Sequence, residues 1–506
     1  MNTVHERVPV PAGATTLDGL RHGLDAPLVL PNAPRLIREA NKALSAHVVV
    51  LDDDPTGSQV VHDVPVLVRW TDDDLLWAFR HPAHTVFILT NTRSLGRTAT
   101  RELLVDLAQR IHRAAAKVGV EVVLLSRGDS TLRGHFPLET DVLAEEAVRR
   151  GQPYDAIVLA PAYLDAGRVT VGDTHFVRAG SAYIPVGETE YASDAAFGYR
   201  SSSLPRWVRE KAGAEVSVTS LSLHDIRAGG VERVFELLLA ARKGAVVVVN
   251  ALDDNDLQVV ALALAQAEAT GWRALCRVGP SFVPARAGIE RRTQLRPEEI
   301  TDGSERRGHG LVVVGSHVPL STRQLKALLE LPDIETVELA VPALLDPADA
   351  AAELNRCSRA LRSAATSADV VLVTSRQRVD TVAGESSLEL SRTVSAALVE
   401  LTRRLAHDVE LGWVVAKGGI TSHDVAAHGL GIHRATVLGQ MFPGIVSVWR
   451  TEPAMPDDPA GPAGEGDLYD GRTVLSGLPY VVFAGNVGDT TTLRDAVEIL
   501  RRAHHA

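Results

Sequence analysis

The chain has 506 residues, 45% apolar and 23% charged, which calls for a globular protein with more than one core. A formal net charge of −11, with no basic run interleaved with aromatics, argues against a nucleic-acid-binding surface. Cys276 and Cys357 lack CxxC spacing, and no apolar run could serve as signal peptide or membrane span, so a cytoplasmic chain without disulfides or a cysteine zinc site is expected.

Residues 1–45, rich in Pro, Gly, Ala and charge, read as an N-terminal extension. Short β-branched runs at 48–51, 86–90, 122–125 and 156–160 are predicted strands. Between them, 100–117 carries Leu103, Leu104, Leu107 and Ile111 on one helical face. A further strand is expected at 246–250. The charged, turn-rich stretch 286–310 reads as a linker, which puts a domain boundary near residue 300. A second strand series follows at 311–314, 370–374, 413–416, 446–449 and 480–484, interrupted by an acidic Pro/Gly-rich insertion at 451–472. The predicted fold is therefore α/β with two domains, 46–300 and 301–506, each a mostly parallel sheet flanked by helices. Ligands bind at the carboxyl ends of such strands, so the active site is expected in the interdomain cleft.

The first strand runs into Asp52-Asp53-Asp54-Pro55-Thr56-Gly57. A solvated turn is the plain reading. The chemical one is a carboxylate placed beside a reacting hydroxyl as general base, with Asp53 the leading candidate and Asp54 and Asp129 behind it. Two further strand ends carry Thr90-Asn91-Thr92-Arg93-Ser94 and Ser126-Arg127-Gly128-Asp129-Ser130-Thr131-Leu132-Arg133-Gly134-His135. Guanidinium forks suit a substrate carboxylate, and hydroxyls suit a polyol, which makes Arg93, Ser130, Thr131 and Arg133 candidate substrate contacts.

In the second half a strand runs into Lys417-Gly418-Gly419-Ile420-Thr421-Ser422, which is not a Walker pattern. Its glycines let backbone amides approach phosphate oxygens, and Thr421 or Ser422 is expected to cap a helix whose N-terminus favours an anion. Val314-Gly315-Ser316-His317 and Ala484-Gly485-Asn486-Val487-Gly488-Asp489 are small-residue turns of the same kind. Lys417 reads equally as a phosphate contact or an ion-pair partner, and His135 and His317 as polar loop residues. Together these loops suit phosphoryl transfer from ATP, with Mg²⁺ on the nucleotide and no metal ligand assigned. Two other readings stay open. A dinucleotide-dependent oxidoreductase lacks its GxGxxG here, and a sugar-acid-binding protein would close on its ligand without turnover.

The loops Asp53-Asp54-Pro55-Thr56-Gly57, Asp129-Ser130-Thr131-Leu132-Arg133-Gly134, Gly315-Ser316-His317, Lys417 to Ser422 and Gly485-Asn486-Val487-Gly488 occur in this order along most of the chain. In that order they resemble the four-carbon acid sugar kinase family. Glu188-Thr189-Glu190-Tyr191 and Ala196-Phe197-Gly198-Tyr199 are similar to a further family segment. The resemblance implies an N-terminal acid-sugar-binding domain and a C-terminal ATP-binding domain. It implies ATP-dependent phosphorylation of the terminal hydroxyl of threonate, erythronate or a 3-oxo-tetronate in carbohydrate catabolism, with a longer aldonic acid as the alternative. By motif, ATP contacts would fall on Ser316, Gly418, Gly419, Ile420, Thr421 and Gly485. Substrate contacts would come from the loops of Asp53, Arg93, Asp129 and Arg133. A homodimer is the expected assembly. The extension 1–45 and the insertion 451–472 depart from the family's compact members.

Overall fold

A strand covered on both faces needs an unbroken apolar run, and Val48, Val49, Val50 and Leu51 are at most 3% exposed. They lie in the strand Ala46–Asp52, and every other predicted strand falls within one or two residues of an observed one. The computed structural model describes residues 13–301, 306–315, 318–375, 385–442, 445–453, 475–485 and 487–505. Its contacts divide the chain into an N-terminal unit, Met1–Asp53 with Asn91–Glu290, and a C-terminal unit, Asp54–Thr90 with Arg291–Ala506.

The N-terminal unit holds a parallel sheet in the order Val218–Leu221, Ala245–Val249, Ala156–Ala160, Ala274–Val278, Glu121–Arg127 and Ala46–Asp52. The helix Arg97–Val118 buries Leu104, Leu107 and Ile111, while Leu103 stays at the edge of that face. It ends at Gly119, whose φ of 80° is the left-handed cap that glycine supplies most readily. A small antiparallel sheet of Thr15–Thr16, Ala182–Pro185, Thr174–Ala179 and Arg168–Val171 was not legible in the sequence.

The described part of the expected N-terminal extension is built into this unit. Thr15 pairs with Tyr183, and the helix Ala33–Ala43 buries Ile37 completely. Asn41 and Arg286 exchange hydrogen bonds, with the guanidinium Nη1 2.5 Å from Asn41 Oδ1.

The C-terminal unit runs Thr85–Leu89, Val64–Leu67, Arg434–Phe442, Val446–Thr451, Pro479–Phe483, Val414–Lys417, Leu311–Val314, Asp369–Thr374 and Ile334–Leu339. From Pro479–Phe483 onward the pairing is parallel, while Arg434–Phe442 and Val446–Thr451 pair antiparallel with their neighbours.

The contiguous division at residue 300 is not how the contacts fall. Residues 54–90 count with the C-terminal unit because Val64–Leu67 pairs antiparallel with Arg434–Phe442 and Trp449 Nε1 donates to Ser58 Oγ at 2.9 Å. The expected linker also contains packed structure: Leu295 and Ile300 are buried, and the Leu295 amide donates to Gln440 O at 2.9 Å. Within the expected insertion, Thr451 closes a strand and 454–472 lie outside the described residues. Among the described residues no helix is long and apolar enough to cross a membrane.

Candidate functional site

Parallel register sets the chemistry of the N-terminal unit. Asp52 is paired with Arg127, and Arg127 with Val278, so three neighbouring strands deliver their polar ends at one level. Arg127 Nη1 donates to Asp52 Oδ1 at 2.7 Å, both side chains being buried. Asp53, 1% exposed, lies 3.9 Å from Arg127 Nη1 and 3.9 Å from Arg277 Nη2. Neither of its carboxylate oxygens has a hydrogen-bond partner among the described residues. Arg277 is held by Glu139 and by Ser126 Oγ at 2.7 Å, and Glu139 accepts from Thr92 Oγ1 at 2.6 Å.

Burial pushes the carboxyls of Asp52 and Asp53 up to about 6, against the pull of the nearby arginines. Asp129 goes the other way. Its burial alone would raise it, but Arg93 and Arg133 outweigh that and hold it below the usual carboxylate range. Arg133 Nε donates to Asp129 Oδ2 at 2.7 Å, Arg93 Nη1 stands 3.7 Å from Oδ1, and the Thr131 hydroxyl donates to Oδ2. Arg133 also lies 5.0 Å from the Tyr191 ring centre, and Tyr199 donates its hydroxyl to Thr131 O at 2.6 Å. The two segments around Tyr191 and Tyr199 thus brace the 129–134 loop.

Space in this cluster is tight. A Cβ at Gly128 would meet Arg277 Nη2 at 2.2 Å. At Gly134, where φ is +123°, a Cβ would meet the same atom at 2.9 Å and Asp53 Oδ2 at 3.0 Å. Only glycine lets the loop close over the guanidinium and the carboxylate.

The structure therefore gathers Asp53, Arg93, Asp129, Ser130, Thr131 and Arg133 in one unit, and counts Asp54 with the other. His135 is structural: Nε2 sits 2.9 Å from Leu95 O and the ring packs edge-on against Phe197. Sequence reasoning missed Arg127 and Arg277 as site residues, and Glu139 with them. A charge inside the apolar strand Ala274–Val278 was the available signal, since an arginine is rarely buried without a partner.

In the C-terminal unit Val314 is level with Lys417, and Lys417 with Phe483, so three turns leave adjacent parallel strands together. Gly418 has φ +122°, a conformation that side chains rarely adopt, and its amide donates to Phe483 O at 2.8 Å. A Cβ at Gly315 would lie 2.3 Å from Thr421 Oγ1, so these two turns pack directly. Ile420 is 61% exposed.

Two expectations need correction. Thr421 and Ser422 do not cap the helix: Gly418 is the N-cap, both residues lie inside Gly419–Asp424, and Ser422 Oγ turns back to donate to Ala416 O at 2.7 Å. Lys417 has no ion-pair partner among the described residues. It is fully buried, donates from Nζ to Ala484 O at 2.9 Å and Gly485 O at 3.3 Å, and lies 3.9 Å over the Phe483 ring. Desolvation alone pushes it down to about 7. Ser321 Oγ also donates to Gly485 O, at 2.9 Å. Ser316, His317 and Asn486 lie outside the described residues.

Comparison with known proteins agrees with this division of chemistry. A sugar-binding N-terminal domain model matches residues 48–286, and a nucleotide-binding C-terminal domain model matches residues 311–493. The chain is 25% identical to a D-threonate kinase of Salmonella typhimurium over 73% of its own length and 78% of that protein's. It is 28% identical to a D-threonate kinase of Bordetella bronchiseptica, over 83% and 87% of the two chains. A 3-oxo-isoapionate kinase of Paraburkholderia graminis is 30% identical over 35% of this chain and 36% of its own. Two solved structures share the fold at 17% identity: a Salmonella typhimurium LT2 protein, with TM-score 0.64 over 89% of this chain and 98% of that one, and a Haemophilus influenzae protein, with 0.58 over 90% and 100%. Two companion domain models thus account for most of the sequence, and the chain belongs to the four-carbon acid sugar kinase family.

Proposed function

We propose that this protein transfers the γ-phosphoryl group of MgATP to the terminal hydroxyl of a four-carbon acid sugar: threonate, erythronate or a 3-oxo-tetronate. The observation that carries the reading is Asp53, a buried carboxylate with both oxygens unpartnered among the described residues and two guanidiniums 3.9 Å away. Such a group accepts a proton without first breaking a hydrogen bond. Asp129, clasped by Arg133 and Thr131, is less free to do so.

In this reading Asp53 takes the proton of the acceptor hydroxyl as its oxygen bonds to the γ-phosphorus, and the bond to the β-phosphate oxygen breaks to release MgADP. Arg93 and Arg133, with side chains 22% and 30% exposed, would take the sugar acid's carboxylate. Arg127 and Arg277, each 7% exposed, stay with their buried partners and tune Asp53. The Gly418–Gly419 turn, the Gly485 turn and Ser316 would hold the nucleotide through backbone amides and small side chains, with Ile420 and Thr421 beside them. The relatives named for D-threonate and for 3-oxo-isoapionate support an acid sugar acceptor and leave its carbon skeleton to experiment.

The test is ADP release, coupled to NADH oxidation, over a panel of four- to six-carbon and branched aldonic acids with product mass analysis. A four-carbon acid should be the best acceptor and gain one phosphoryl group. A five- or six-carbon acid as best acceptor would replace the substrate. Ligand-induced stabilisation without ADP would instead identify a binding protein.

A further inference from the structure

We propose that His423, Asp424 and His428 form a binding site for a divalent transition-metal ion of the Zn²⁺ class. One ligand atom from each side chain lies within 4.8 Å of those of the other two. All three come from one helical run: His423 and Asp424 end Gly419–Asp424, and His428 sits in the π-helical turn Val425–Gly429. Residues five apart diverge around an α-helix, whereas in a π turn, with hydrogen bonds from i to i+5, they return to the same side. The bond from the Leu430 amide to Val425 O, 2.8 Å long, is of that wider kind. The two imidazoles accordingly meet edge to face, with centroids 6.3 Å apart and planes at 85°.

Two further observations point to a ligand. Nδ1 of His423 is buried without a hydrogen-bond partner among the described residues, and coordination through it would satisfy that atom. Asp424 is oriented by the Ser395 hydroxyl, which donates to Oδ2 and leaves Oδ1 for an ion, the kind of outer support that metal-ligating carboxylates usually have. Bonds of ~2.1 Å to a tetrahedral ion place donors roughly 3.4 Å apart, so a small rotation of the side chains closes the site. Exposed His428 gives the ion its entry.

Two imidazoles and one carboxylate select Zn²⁺, Co²⁺ or Ni²⁺, with water in the fourth position. Mg²⁺ prefers six oxygens and is not the expected occupant. The inference is independent of the kinase reading, because it concerns an ion held by this chain and not one brought by a nucleotide. The bound ion would pin the helical run that opens at Gly419.

The experiment uses the untagged full chain, stripped with chelator and titrated with ZnCl₂ by calorimetry and with CoCl₂ by visible absorption. One Zn²⁺ per chain at micromolar or tighter affinity is expected, together with a Co²⁺ spectrum of low-symmetry four-coordinate type that MgCl₂ does not displace. His428→Gln, at an exposed position that leaves the fold intact by circular dichroism, should weaken Zn²⁺ about tenfold or more. Asp424→Asn should do likewise, and His22→Gln, at an exposed histidine elsewhere, should change nothing. Equal Zn²⁺ affinity in the wild type and His428→Gln, or absence of the Co²⁺ spectrum, overturns the site.

Discussion

Asp53 is a buried and Asp129 a half-buried carboxyl, both among arginines, yet desolvation wins for one and charge for the other. Arg93 pulls on both, but Asp129 also accepts hydrogen bonds from Thr131 and from Arg133 at 2.7 Å, whereas Asp53 accepts none among the described residues and the nearest guanidiniums of Arg127 and Arg277 stay at 3.9 Å. A base with its pKa at about 6 is active once deprotonated, so kcat/KM should rise with pH through about 6 and then level. A flat profile between pH 5 and 8 would remove Asp53 from that role. Asp53→Asn should lower kcat by about 10²–10⁴-fold while nucleotide affinity, measured by calorimetry, stays within a factor of about two. The stability sign is also fixed. A folded pKa raised above the ordinary 3.8 favours the neutral form, so stability is full below about pH 4 and falls as pH rises through about 6. Asp53→Asn should therefore melt no lower than the wild type at pH 7.5; a lower melting temperature would show that Arg127 and Arg277 need that charge. Arg133→Gln removes one candidate carboxylate fork and should raise KM for the acid sugar about 10-fold or more, with KM for ATP unchanged.

At the scale of elements, the strand-to-turn junctions carried the sequence reading, and glycine geometry explains why. Gly418 at φ +122° needs glycine whatever binds beside it. Gly418→Ala should cost about 1–3 kcal/mol of local strain and weaken nucleotide binding at least tenfold, measured by calorimetry, with the sugar-binding unit's circular dichroism and acid affinity preserved. Lys417 shows what a motif does not reveal. Its place before two glycines left a phosphate contact and an ion pair equally open; the strand register buries it and turns Nζ to the carbonyls of Ala484 and Gly485. Lys417→Met keeps the stem and strands those carbonyls. It should lower the melting temperature and disturb the Gly485 turn, with loss of nucleotide affinity as a consequence of that disorder.

On the scale of the whole molecule, the chain builds its C-terminal unit from two separated stretches. Arg434, 1% exposed, is paired with Asp74, which comes from the early stretch and is also 1% exposed. Burial alone would raise Asp74, but His433 and Arg434 outweigh it and hold it low. Asp74→Ala leaves Arg434 buried without this carboxylate and removes the Thr71 capping box, so a loss of about 3–5 kcal/mol is expected in denaturant unfolding. A fragment of 291–506 alone should be insoluble because it lacks Val64–Leu67 on Arg434–Phe442, and adding 54–90 in cis should restore solubility. Cooperative folding of the bare fragment would contradict the division.

By itself the sequence determined the α/β class, most of the parallel strands and the glycine and carboxylate turns behind them, because apolar runs and φ-specific residues act locally; it did not mark Val218–Leu221, Ala274–Val278 or Ile334–Leu339. Tertiary structure decided which charges meet. Arg277 reaches Glu139 and the neighbourhood of Asp53 across strand register, and Asp74 reaches Arg434 across more than half the chain. It also decided that 54–90 counts with the C-terminal unit and that Thr421 and Ser422 lie inside a helix. Pairings of that kind depend on which strand lies beside which, a property no window of residues contains.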